Sequence, residues 1–448
     1  MGYMSLFMIL LALSGAEIYS EPGEPTMLVH PPFGHCMGIY RAGTEQLALL
    51  LGGLIRFDDP QGLACVLLDE WDDPDRSGDD DELAVYGVNF GSGHIIYNAD
   101  MYNLGFYGGS GSASDELLYP HGIAADPYGM VLVADTGNDR VVVLRRSGSR
   151  LVPSGLVGGG FIAPWDVALD GDGKVYVTDR EAGSLSIFAS VTDTMPQVVE
   201  LQAPTGVDAV SGEPWFHTGE RFIVAVTGDG TSLVKLQGDS IVAETSVSDC
   251  GGDVFNYPVI DFYGNVWVTD SISCMVHKFD DGLRYLSSFG GPGSGDQEFN
   301  HPTGIALWRR FGQIFVAESE GARYFWVGSD IRDLDLSVDG RSVTVTGVLT
   351  EQSNVVVYVE NGSGGRAATI SDGRLLPGDM ELSWDGVTAG SRVSDIEGGD
   401  YRLVIEVQPT YSSRGYFSKR WEIGFTLAPP DVGAPTDDGD LPTGRDTR

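Results

Sequence analysis

The 448 residues carry 64 acidic against 27 basic side chains, a formal net charge of −37, and only four of the bases are lysine. A nucleic-acid partner is excluded, because phosphate contacts need a basic face. An anionic membrane surface is excluded for the same reason.

The chain opens MGYMSLFMILLALSGAEIYS. Its apolar core, Leu6 to Leu13, is too short to span a bilayer. Ser14-Gly15-Ala16 is a small-x-small cleavage cue, so residues 1–16 read as a secretory signal peptide, although no Lys or Arg precedes the core. The expected location is outside the cell, at its surface or in a periplasm. No membrane span is expected in the mature chain, and it is read as a monomer.

From residue 60 one pattern recurs. It is clearest at Pro120–Leu144, PHGIAADPYGMVLVADTGNDRVVVL, and at Pro164–Phe188, PWDVALDGDGKVYVTDREAGSLSIF. In both copies an aspartate follows the proline by 15 residues, at Asp135 and Asp179, and an Asp-x-x-Gly turn precedes it, at Asp126/Gly129 and Asp170/Gly173. Further copies open at Pro60, Pro204, Pro258 and Pro302, so six units follow one another. The copy at Pro258 is three residues short before its Asp270. Each unit holds short apolar or alternating runs broken by Gly, Asp or Pro, the signature of strands and turns. Four such strands in about 40–50 residues make a propeller blade.

The pattern P-x-G-I-A…D-x-x-G-x-V-x-V-A-D-x-x-N-x-R-V of Pro120–Val141 resembles the NHL repeat, as does the lead-in SFGGPGSGDQEFNHPTGIA of Ser288–Ala306. The resemblance covers roughly residues 33–328 and implies a six-bladed β-propeller. It does not fix one activity, because the fold hosts binding modules and several enzymes.

Residues 35–53 fit no blade start. They match the back half of the Pro258 unit and read as outer strands that close the last blade from the N-terminus, which leaves no open edge. The propeller is therefore placed at 26–328. The run Asp69–Glu82 has nine acids in 14 residues. It lacks the spacing of a calcium loop and reads as a solvated loop.

Near residue 329 the blades stop. Runs such as SVTVTGVL, NVVVYVE, MELSWDG and YRLVIEVQ give six or seven strands in about 100 residues, an Ig-like β-sandwich over 329–428. LPGDMELSWDG, Leu376–Gly386, with Gly399-Asp400-Tyr401 downstream, resembles the Ig-like domain of flagellar hook-capping proteins, which also stands behind secreted bacterial repeats. Trp384 reads as core. Residues 429–448 read as a disordered tail. The fold class is thus all-β: a six-bladed β-propeller with a C-terminal Ig-like β-sandwich.

Several residue types could carry chemistry. The acids closing the second strands, Asp135, Asp179, Asp270 and Glu318, with Asp229 adjacent in the Pro204 unit, invite a metal ring. A residue repeated in most blades does the same local job in each, however, and here that job is accepting turn N–H groups. His121 and His301 flank their prolines at the channel mouth. Enzymes built on this repeat, such as the peptide-amidating lyases, are similar in placing histidines on a metal there. Zinc needs three or four ligands, and no third histidine falls at that position. No cofactor is assigned, and a metal is left open. Cys250 and Cys274 are expected on one rim and are the candidate disulfide; Cys65 reads as a buried thiol.

The reading is a secreted, non-catalytic binding or scaffold protein. Its propeller rim, with Tyr119, His121, Trp165, Tyr257 and His301, would meet a carbohydrate or protein ligand. The alternative is a metal-dependent propeller enzyme of lyase or lactonase type.

Overall fold

The computed structural model describes residues 18–20, 23–30, 41–71, 83–100, 103–211, 219–385, 396–411 and 417–429. The signal-peptide segment 1–16, Cys36, most of the acidic run and residues 430–448 lie outside them.

Six antiparallel sheets occupy residues 60–327 among the described residues. Sheet one runs from its inner strand Pro60–Leu67 out to Leu104–Gly108. Sheet two runs from Ile123–Ala125 to Arg150–Leu156, and sheet three from Pro164–Leu169 to Gln197–Glu200. Sheet four runs from Val207–Val210 to Ser240–Ser246, and sheet five from Phe255–Ile260 to Tyr285–Gly290. Sheet six holds Ile305–Trp308, Gln313–Glu318 and Gly321–Val327. The second strands, such as Met130–Asp135 and Phe222–Thr227, are buried throughout because a neighbouring sheet covers each face.

Hydrogen bonds at or beside the inner strands run from each sheet to the next. Gly62 N–H donates to His121 O, and Gly122 N–H to Trp165 O, both at 2.9 Å. Asp166 Oδ2 accepts from Val207 N–H at 2.9 Å, and Asp208 Oδ2 from Ile260 N–H at 2.7 Å. Thr269 Oγ1 donates to Thr303 O, and Thr303 Oγ1 donates to Pro60 O at 2.6 Å, which completes the circuit. The glycine of the P-x-G start is forced by this approach. A Cβ at Gly304 would stand 2.1 Å from Gln61 O, and one at Gly122 would stand 1.9 Å from Asp166 Oδ1.

The recurrent acids accept turn N–H groups. Asp179 takes those of Ile162, Ala163 and Ala182, and Asp135 takes that of Leu118. In sheet one Asn89 does this job, accepting from Asp58 N–H at 2.7 Å.

Sheet six is closed by the N-terminal chain, but not by the expected run of strands. Leu28–Val29 pairs with Trp326–Val327, and Arg41–Gly43 pairs with Gly321–Arg323. Thr44–Leu50 is a helix. TEQLALL has no β-branched alternation beyond its first residue, and Gln46 Oε1 caps Gly43 N–H at 3.1 Å. Leu47, Leu51 and Ile55, four apart, bury together against Ile96 and Leu104 of sheet one.

The chain from 331 to 427 forms a two-sheet β-sandwich. One sheet joins Ile331–Asp339, Ser342–Leu349 and Gly378–Trp384. The other holds Ser353–Glu360, Arg366–Leu375, Gly399–Pro409 and Phe417–Leu427, with Ile18–Ser20 parallel to the last. Trp384 lies in the shared core, as expected.

Three of the four lysines are buried. Lys235 lies over the Phe222 ring at 4.1 Å, and Lys419 Nζ meets Asp330 Oδ2 at 2.8 Å. Lys278 of sheet five meets Glu351 of the sandwich at 2.5 Å. No described helix is long and apolar enough to cross a membrane.

Candidate functional site

The mouth of the ring is set by the residues beside each unit's opening proline. Tyr119 precedes Pro120 in left-handed backbone, φ 49°, and is 53% exposed. His301, ahead of Pro302 at φ 55°, is also exposed and takes the same place in sheet six. His121 and Trp165 follow their prolines. The strand start therefore directs the two types differently, and the two histidines are not equivalent.

Trp165 is the centre of a stack. The His121 ring lies 3.8 Å from it, 30° off parallel, and the Arg180 guanidinium sits 5.0 Å over it. Arg180 donates from Nε and Nη2 to both oxygens of Asp229 at 2.9 Å, a bidentate pair. On the other side Phe90 meets His121 edge-on at 4.8 Å and Tyr119 at 5.3 Å. The stack thus runs along the rim from sheet one to sheet four.

His121 is buried rather than exposed. Thr136 Oγ1 gives its only proton to Pro164 O at 2.6 Å, so it accepts from His121 Nδ1–H at 2.9 Å. Burial, assisted by the charge of Arg180, pushes the imidazole down to about 4. His121 is neutral at physiological pH.

Tyr257 corrects the expected register. Phe255, not Pro258, pairs with Asp270, as Pro164 pairs with Asp179. The three missing residues therefore precede Pro258, which lies inside the strand next to a bulge. Tyr257 takes the place of Gly122 and Asp166. It is 5% exposed, and its hydroxyl reaches Gln61 Oε1 of sheet one at 3.3 Å. It leaves the rim and spans the channel.

Below Tyr257 lies a cavity of about 120 Å³ bordered by residues of all six inner strands. Arg309 reaches it from the end of sheet six. It donates from Nη2 to both Asp208 oxygens at 2.9 and 2.7 Å, and from Nε to Ile260 O at 2.8 Å. Asp166 also faces it, and burial holds its carboxyl well above the usual range. No group of three or more His, Cys, Asp or Glu able to hold a metal occurs among the described residues.

Cys250 and Cys274 do not pair. Both are free, and each thiol turns back into its own loop, Cys250 Sγ to Val247 O at 3.4 Å and Cys274 Sγ to Ser271 O at 3.7 Å. Cys65 is also a free thiol. Sequence reasoning found Tyr119, His121 and Trp165 and reads Asp229 only as a turn acid, but it missed Phe90 and Arg180. The signal was available, since each lies one or two residues after the position that closes a second strand.

Residues 117–144 and 161–188 match the NHL repeat. No curated protein matches the chain in sequence. Among solved structures, a gluconolactonase from Xanthomonas campestris is 12% identical, covering 69% of this chain and 100% of its own, with a TM-score of 0.44. Virginiamycin B lyase from Staphylococcus aureus is 12% identical over 55% of this chain and 77% of its own, with a TM-score of 0.40. A protein of unknown function from Bacteroides thetaiotaomicron is 15% identical over 67% and 76%, with a TM-score of 0.45. The two NHL matches fall on sheets two and three of the ring, so the chain carries NHL repeats within its circuit of antiparallel sheets.

Proposed function

We propose that this is a secreted binding protein in which a six-bladed NHL propeller presents its mouth rim, without catalysis, to a carbohydrate or protein ligand. The observation that carries the reading is the stack of Phe90, Tyr119, His121, Trp165 and Arg180, in which Tyr119, 53% exposed, and the half-buried Phe90 stand outermost on a base held by His121, Trp165 and Arg180. Ring faces held by neighbours stack on sugar or peptide groups with little loss of side-chain freedom. The channel is occupied by Tyr257 above and the Arg309–Asp208 pair below, which favours the rim over the interior. The sandwich is read as Ig-like and as a spacer or anchor. Export is consistent with Ile18–Ser20 being used as a strand directly after the expected cleavage at Ala16.

The test is a glycan and peptide array probed with the full protein and with Trp165→Ala. A ligand bound by the wild type and about tenfold or more weaker in the variant supports the rim. Stoichiometric metal in the purified protein, with chelator-sensitive lactonase or lyase turnover, would replace this reading with the enzyme. N-terminal sequencing of exported material should begin near Glu17.

A further inference from the structure

Where the propeller meets the sandwich, three ionisable side chains are closed off from solvent together: Lys278, Asp261 and Glu351, each with no exposed side-chain surface. Lys278 Nζ lies 2.5 Å from Glu351 Oε2 and 3.9 Å from Asp261 Oδ2, and 4.4 Å over the Trp267 ring. Asp261 is held from the propeller side by Asn265 Nδ2 at 2.9 Å and Trp267 Nε1 at 3.0 Å. Glu351 is held from the sandwich side by Gln352 N–H at 2.7 Å. The remaining titratable neighbours are phenols. Tyr263 bonds Thr410 Oγ1 across the junction at 2.5 Å and meets Tyr411 edge-on at 5.2 Å.

The charge count decides what this box does. It contains one cation and two carboxylates. With both carboxylates ionised it buries a net negative charge, which is costly in a dry environment. With one proton retained it is neutral. Asp261 is committed as an acceptor to two side-chain donors and to the N–H groups of Tyr263 and Asn265. Glu351 accepts from one backbone group and from Lys278, so it is the carboxyl that can keep the proton.

We propose that the junction is a proton-controlled latch: the sandwich docks tightly on the propeller while Glu351 is protonated beside Lys278 and Asp261, and loosens when that proton leaves. Burial pushes the Glu351 carboxyl up to about 7 against the opposing pull of Lys278. The raised value gives the sign. The docked state holds a proton that an undocked, solvated glutamate releases, so docking weakens as pH rises from about 4.5 towards 7.

Hydrogen–deuterium exchange of the full-length protein, corrected for the intrinsic rate, tests this at Thr350–Ser353 and Asp261–Trp267. Opening of these segments should increase on the order of 20-fold between pH 5.5 and 8 in the wild type. Glu351→Gln should remove most of that dependence while the rest of the ring keeps its profile. Asp261→Asn, which leaves one carboxylate for one lysine, should flatten it as well and stands in if Glu351→Gln does not fold. Wild-type protection at the junction that is constant over this range, or a Glu351→Gln profile that follows the wild type, overturns the proposal.

Discussion

Trp165 is held on both faces, by the His121 ring and the Arg180 guanidinium, so it is neither a free rim side chain nor a wedge between sheets. Trp165→Ala should cost about 1–2 kcal/mol of stability, the worth of one aromatic pair plus one partly exposed cation–π contact. A thermal melt reads this, and a loss of 4 kcal/mol or more would place the ring in the core. His121 makes a second prediction. Its native value of about 4 lies below the ordinary 6.5. Its contribution is complete above 6.5 and is lost as pH falls towards 4, because the unfolded chain takes a proton that the native site refuses. Denaturant titrations from pH 7 to 4 should show the wild type losing up to about 3 kcal/mol more than His121→Gln.

At the scale of elements, closure of the ring depends on a two-residue strand. Leu28 pairs with Val327 and is buried with Phe325 and Phe289. Leu28→Ala should therefore cost about 2–5 kcal/mol and lower the melting temperature of the whole ring. An unchanged melt would mean that sheet six stands without its N-terminal partner. The sheets that were easiest to read from sequence, two and three, owe that to complete punctuation: a proline start, an Asp-x-x-Gly turn and a closing aspartate. Sheet five lacks the first of these marks. Pro258 mimicked it from within the strand, and Tyr257 was placed on the rim in consequence. Sheet one uses Asn89 in place of the aspartate, which hid its turn. The helix Thr44–Leu50 is hidden in the sequence because residues 35–53 match the back half of the Pro258 unit, which places Leu47 in an outer strand. Three members of the rim stack are legible because they flank prolines, while Phe90 and Arg180 follow the strand-closing Asn89 and Asp179, a position the repeat marks without showing which rings meet there.

At the scale of the whole molecule, −37 charges spread over one folded chain repel one another. Most of the lysines that could offset them at the surface are inside. Salt screens such repulsion over about 10 Å at 0.1 M and about 3 Å at 1 M. The melting temperature should therefore rise when sodium chloride is increased from 0.01 to 1 M, and a fall would show that ion pairs such as Lys419–Asp330 and Arg309–Asp208 dominate the response. Truncation after Gly328 should also lower the melting temperature of the ring, since Lys278 would keep only the distant Asp261.

The placement of the lysines has a practical side. Lys235, Lys278 and Lys419 have their amines packed against rings or carboxylates, and Lys174 alone among the four is partly open to solvent. Reagents that acylate primary amines need an accessible, uncharged nitrogen. Under native conditions they should mark Lys174 and the α-amino group and little else. Peptide mapping after brief acylation would show this directly, and a dye or surface tether attached through a side-chain amine would hold the protein by the Asp170–Lys174 turn, on the side away from the mouth rim.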